Sequence, residues 1–248
     1  MQQKIVITDL TQMPEGNEVC VVGISETGEC IRPICAGGFQ KKYLYAKNTV
    51  VIRPKARVGF DFVAAADIKP PHIEDRVSKP NSIISYGFCN DVEWEQILKN
   101  GSYNRAGDIF DGFLQDRKWV KPGAKTRSIA TLSKATVINI SLREEDGKLK
   151  YRLSFKDEAG NVFDYAVSDL TFRELCFKRI KKEGYPPLTL SDELKKSLKR
   201  ADRIYLRLGL ARPWVQPGLT EPRCYVQVTG IYSFPDYLQG RTFTDFLS

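Results

Sequence analysis

The chain has a single histidine among its 248 residues, and that scarcity narrows the available chemistry. A Ser-His-Asp or Cys-His mechanism would have to run through His72, whose neighbours Glu74 and Asp75 suit a salt-bridged structural role in a Pro-flanked loop equally well. His72-Ile73-Glu74 matches half of a zinc deaminase pattern, but no PCxxC follows it. No CxxC occurs anywhere. Cys20, Cys30, Cys35, Cys89, Cys176 and Cys224 are scattered along a long chain without an export signal, so they read as reduced, mostly buried thiols. The alternative, a zinc cluster, would have to be assembled from distant residues. Gly123-Ala124-Lys125-Thr126 lacks the upstream glycine of a phosphate-binding P-loop and reads as a basic linker. No segment approaches the ~18 uninterrupted apolar residues that span a bilayer. The start, MQQKIVITDL, lacks a secretory signal. The expectation is a cytoplasmic protein with no membrane partner, no cofactor and no metal.

What is present is a globular composition, 42% apolar and 27% charged, with a formal charge of +8. The excess is unevenly placed. Residues 1 to 124 hold 16 Lys/Arg against 15 Asp/Glu, and residues 125 to 248 hold 22 against 15. If a polyanion is bound, the second half is its principal contact, because counterion release scales with the cations brought to phosphates.

From Lys4 to Ala66 short strand-like runs (KIVITDL, EVCVVGI, ECIRPIC, TVVIRP, RVGFDFVAA) alternate with turn signals at Pro14-Glu15-Gly16-Asn17, Thr27-Gly28 and Gly37-Gly38. Pro70, Pro71 and Pro80 mark an extended segment. A short helix follows, with an N-cap at Asn90, Glu93 three residues on, and Trp94, Ile97 and Leu98 as its packing stripe. In the second half KATVINISLR, KLKYRLSFKD and NVFDYAVSD form three hairpin-linked strands. A helix then starts with a Thr171/Glu174 capping box, a second begins at Ser191, and the strands ADRIYLRLGL and CYVQVTGIYSF close the region. Three strands, a helical connection and two strands is the order of an OB-fold, a five-stranded Greek-key barrel. The first half fits that template less well, because its helix would have to be KKYLYAK. The fold class expected is mainly β with short helices, a β-rich α+β chain of two small OB-like barrels in tandem. Residues 1–120 form the first with a helical and loop extension, and 129–248 the second with helices between strands three and four.

Side-chain parity nominates a binding surface. Along 148 to 156, Leu149, Tyr151, Leu153 and Phe155 share one face, and Lys148, Lys150, Arg152 and Lys156 the other. Along 203 to 210, Ile204, Leu206, Leu208 and Leu210 would fill the barrel while Arg203, Tyr205 and Arg207 sit outside, leading to Arg212 and Trp214 in the next loop. Arginine can pair bidentately with phosphate, and an aromatic ring can stack a base for about 1 to 3 kcal/mol. Such a face suits single-stranded RNA or DNA. The competing reading pairs Arg203 and Arg207 with Asp202 and Glu221 and lays Tyr205 on the helix after Ser191. Arg32 and Arg53, each just before a proline, are further contact candidates in the first half.

VITDLT, VCVVGI followed by IRP, PPHIEDR, LRLGLARPW and CYVQVTGIYSFPDYL together resemble the bacterial dual OB-fold proteins, regarded as nucleic-acid-binding parts of conflict and defence systems. The resemblance implies tandem barrels, a binding role and no established catalytic residues. Two alternatives stand beside it. One is an adaptor that binds a protein partner from the same system. The other is a metal-dependent nuclease using Asp61, Asp67 and Lys69 in a D…DxK arrangement, or Asp146 with Lys148.

Overall fold

The computed structural model describes residues 2–13, 16–63, 68–79 and 82–247. Pro14 and Glu15 of the first expected turn, Asp67 of the D…DxK pattern and Pro80 lie outside them. The architecture is mainly β, with two sheets and short helices.

The first sheet is built from β1 (Gln2–Gln12), β2 (Val19–Ser25), β3 (Cys30–Ile34), β6 (Ala56–Asp61), β7 (Asp75–Val77) and β8 (Ile84–Phe88), in the order β7-β3-β2-β1-β6-β8. Strands β1 to β3 form an antiparallel meander, and β7 joins β3 in parallel. The tail of β6 returns to β7 through an antiparallel bridge from Phe62 to Ser78 and the Val63 N–H on the Val77 carbonyl. Between β3 and β6 lie a 3-10 turn at Lys41–Leu44, within the KKYLYAK stretch, and the small hairpin β4 (Tyr45–Ala46) and β5 (Thr49–Val50). Ile5, Ile7, Val21, Ile31, Leu44, Ile52, Val58 and Phe60 pack into one core behind these strands.

Helix α1 (Asp91–Lys99) starts where its cap predicts: the Asn90 side chain accepts the Glu93 N–H, and Glu93 accepts the Asn90 N–H. The stretch from Gly101 to Ser128 contains the short helix α2 (Ala106–Ile109) and β9 (Trp119–Val120).

The second sheet runs β10-β14-β15-β13-β12-β11, with β9 also on β15. Its members are β10 (Ile129–Leu132), β11 (Thr136–Glu145), β12 (Lys148–Lys156), β13 (Val162–Val167), β14 (Arg203–Leu210) and β15 (Cys224–Phe234). β11 and β12 meet at Asp146-Gly147, both at positive φ, the geometry a two-residue hairpin turn requires. β13 pairs with β15 in parallel, so the chain needs a crossover, which α3 (Leu170–Phe177) and α4 (Pro187–Lys199) supply. The two edge strands of this path, β10 and β11, are separated by only residues 133 to 135.

Both helix starts differ from expectation. Asp169, not Thr171, caps α3, with its carboxylate accepting the Phe172 N–H. α4 begins one turn early because Pro187 is preset for a first helical position, which leaves Ser191 inside the helix with its hydroxyl on the Pro187 carbonyl.

Between the sheets lies a third, small core of Cys89, Trp94, Leu98 and Tyr205, with Tyr232 and Phe234 packed against it. Trp94 is 1% exposed and meets the Tyr232 ring edge-on at 5.0 Å, which makes it a packing anchor. No helix among the described residues is long and apolar enough to cross a membrane.

Candidate nucleic-acid interface

The expected outer face of β14 is not outside. Residues Ile204 to Leu210 are all buried, because one face of the strand fills the second core and the other docks on the first sheet and α1. Arg207, 2% exposed, donates from Nε to Asp9 Oδ2 at 2.8 Å and from Nη1 to Thr131 Oγ1 at 3.0 Å. Thr229 donates its hydroxyl to the other Asp9 oxygen, and Thr8 donates to Oδ2 at 2.7 Å. Burial works to lower the Arg207 pKa, but Asp9 and Cys30 more than offset it, so the guanidinium titrates above its ordinary value. Gly209 is small for a reason: a Cβ there would stand 2.9 Å from the Thr229 methyl.

Tyr205 lies beneath α1, not on α4, with its hydroxyl donating to Glu95 Oε1 at 3.2 Å. Arg203 is exposed and ion-paired with the same Glu95. The partners are thus Asp9 and Glu95, in place of Glu221 and Asp202.

Arg32 is likewise not a surface residue. It is 5% exposed and sits in a second buried polar cluster across the junction. Its Nη1 donates to His72 Nδ1 at 3.1 Å and pairs with Asp75 at 3.4 Å, and its Nη2 donates to the Ser128 hydroxyl. A guanidinium only donates, so His72 Nδ1 accepts and the ring proton resides on Nε2. Burial, then Arg32 and Arg212, push the His72 pKa down to about 3, so the ring is neutral. Ser128 closes the cluster on Glu74: its N–H reaches Oε1 at 2.8 Å and its hydroxyl Oε2 at 2.7 Å. His72, Glu74 and Asp75 therefore tie the halves together. Arg53 is half-buried with its guanidinium 4.0 Å from the Phe88 ring centroid, and burial lowers its pKa.

Five of the remaining nominees converge. Lys148, Lys150, Arg152, Arg212 and Trp214 line one groove of about 1770 Å³ that runs between the sheets. Lys156 is exposed at the far end of β12, outside it. One wall comes from the second half and is rich in cations, with Arg143 on β11, Lys118, and Arg173 and Lys181 near α3 added to the nominees, interspersed with Glu145, Asp164 and Glu174. Facing it are Val19, Val22, Pro33, Ile34 and Phe39 of the first half, with Glu18. Arg143 stands directly opposite Lys150 in the β11–β12 ladder, and neither has an ion pair among the described residues. Like charges at such positions repel.

Two groove arginines are held. Arg152 donates from Nε to Asp164 Oδ2 at 2.9 Å, and Arg212 Nη2 reaches Asp75 Oδ2 at 2.8 Å, which links the groove to the His72 cluster. Trp214 is 53% exposed, steadied by a backbone bridge to Arg223 and an edge-on contact with Tyr225 at 6.0 Å. The expected contacts did not include Arg143 or Arg173. Arg143 was legible as the cross-strand partner of Lys150 once the hairpin at Asp146-Gly147 was placed, whereas Arg173 needed the tertiary fold.

Of the nuclease patterns, Asp61 forms an ion pair with Lys79 at 3.7 Å, and Asp146 occupies the hairpin turn. Among the described residues no three His, Cys, Asp or Glu side chains are grouped to hold a metal ion. No family model and no curated protein matches the chain.

Proposed function

We propose that the chain binds single-stranded nucleic acid, RNA or DNA, in the groove between its sheets, without cutting it, and that each sheet is an OB-type barrel. Support for the barrel reading lies in the strand pairing. Both halves follow a three-strand meander whose third strand pairs in parallel with the fifth. In each, the fourth strand pairs with the first: β6 with β1, and β14 with β10, the leading segment of the β10–β11 strand.

The observation that carries the binding reading is the repelling pair Arg143 and Lys150, placed between Lys148 and Arg152 on an open wall. A phosphate backbone relieves that repulsion, and release of its counterions supplies the affinity. Trp214 provides an exposed π-face at one end for a base. The bacterial defence setting rests on the sequence resemblance alone.

A protein adaptor is the second reading, and one observation favours it. Ile84, Tyr86 and Phe88 are each more than 40% exposed along the edge strand β8.

The test is titration of the protein into labelled single-stranded RNA, single-stranded DNA and duplexes at several salt concentrations. Trp214→Ala is expected to weaken single-strand binding by about 1–3 kcal/mol, roughly 5- to 150-fold. Arg152→Ala is expected to weaken it and flatten the salt dependence. Absence of binding at low salt overturns the reading and leaves the adaptor.

A further inference from the structure

A second opening lies at the junction, of about 350 Å³, and it shares only Ile129 with the groove. That volume is at the lower end of small-molecule sites, about 300–1,000 Å³. Three arginines from separate segments meet there: Arg76 on β7, Arg127 before β10, and Arg207 on β14. Its two carboxylates are already committed. Glu29 accepts from Arg76 at 2.6 Å, and both Glu74 oxygens accept from Ser128.

Arg207 carries the inference. Its Nε and Nη1 have oxygen acceptors, but among the described residues Nη2 has only the Cys30 sulfur at 3.5 Å, a weak acceptor for a buried cation. Burying a guanidinium against so poor a partner is costly unless a stronger acceptor enters. Arg127 lies over the Tyr103 ring at 4.8 Å and is held by Asp111 through one nitrogen, so a flat cationic platform borders the same opening.

We propose that this junction pocket binds a small phosphate-bearing ligand of mononucleotide size. The anionic group faces Arg207 and Arg127, and the ring lies on the Arg127–Tyr103 stack. The site is independent of the groove and draws on both halves.

The test uses the full chain with inorganic phosphate, adenosine monophosphate and adenosine as probes, read by calorimetry and thermal melting. Adenosine monophosphate is expected to bind and raise Tm, with affinity falling at least tenfold in Arg127→Ala and in Arg76→Ala but unchanged in Lys150→Ala. It should also slow alkylation of Cys30, mapped by mass spectrometry, while leaving Cys35 unaffected. Phosphate binding as tightly as the nucleotide assigns the site to the anion alone, and tighter nucleotide binding assigns it to the ester. Adenosine binding as well as its phosphate overturns the proposal, as does the absence of heat and Tm shift with either phosphate probe at millimolar concentration. Binding that survives Arg127→Ala and Arg76→Ala but is lost in Lys150→Ala belongs to the groove and also overturns it.

Discussion

Strands β12 and β14 alternate in the same manner, apolar residues on one parity and cations on the other, yet their polar faces end in opposite environments. On β12, Lys148, Lys150 and Arg152 stand exposed along the groove. On β14, Tyr205 and Arg207 are sealed under β1 and α1. Parity decides which side chains share a face. Whether that face meets water is decided by elements 110 to 198 residues away, and the means is charge complementarity: Asp9 lies within β1 to receive Arg207.

If β14 owes its orientation to that buried pair, breaking one partner should be the most damaging single change at the junction. Arg207→Ala or Asp9→Ala leaves an uncompensated buried charge and should cost about 3–5 kcal/mol by denaturant unfolding. Replacing both with leucine should restore much of the loss, since the desolvation of two charges disappears together. Single variants that lose less than about 1 kcal/mol, measured the same way, would show that the junction holds without the pair and would place β14 closer to β12 in character.

The junction also carries two buried groups whose pH dependences oppose each other. His72 stays neutral when folded, so the unfolded chain alone takes up a proton below pH 6.5. Its contribution is complete above 6.5 and is lost as pH falls toward about 3. Asp169 is pushed up to about 7, first by burial, with Asp9 adding to it against the Phe172 and Ile231 N–H groups that lower it. Its contribution is present below the unfolded value of 3.8 and is lost as pH rises through about 7. Between these limits the two cancel. His72→Gln should uncover the Asp169 slope, with stability rising by about 2 kcal/mol as pH falls from 6.5 to 5, and Asp169→Asn the reverse slope. Unfolding midpoints of both variants across pH 4 to 8 check this, and parallel profiles for variants and parent would refute it.

Much of the fold was legible where its cues are local. The hairpin at Asp146-Gly147, the alternation of β12 and the apolar stripe of α1 depend on neighbours within a few residues, and each formed where expected. The helix caps slipped by a few residues because Asp169 and Pro187 outcompeted Thr171 and Ser191 for the same role. Arg32 and Arg207 were misplaced because a buried arginine and an exposed one have the same sequence signature. The available clue was the complementary acid: Asp9 in VITDLT, and Glu74 and Asp75 in PPHIEDR. Lone carboxylates in apolar or Pro-rich surroundings are what a buried cation requires.

The finest test of the contrast compares the exposed ends of the two strands. Lys150→Ala removes a cation that faces another cation, so it should relieve repulsion, leave stability nearly unchanged, and cut the salt slope of single-strand binding by about 0.7. Arg203→Ala removes a cation whose charge is answered by Glu95 at the surface, worth about 0–1 kcal/mol to stability. It should leave the salt slope untouched, because Arg203 lies outside the groove. The two strands differ functionally only if these small effects fall on different readouts. A salt slope lowered equally by both substitutions would mean that nucleic acid follows the whole cationic surface, and that the groove has no special standing.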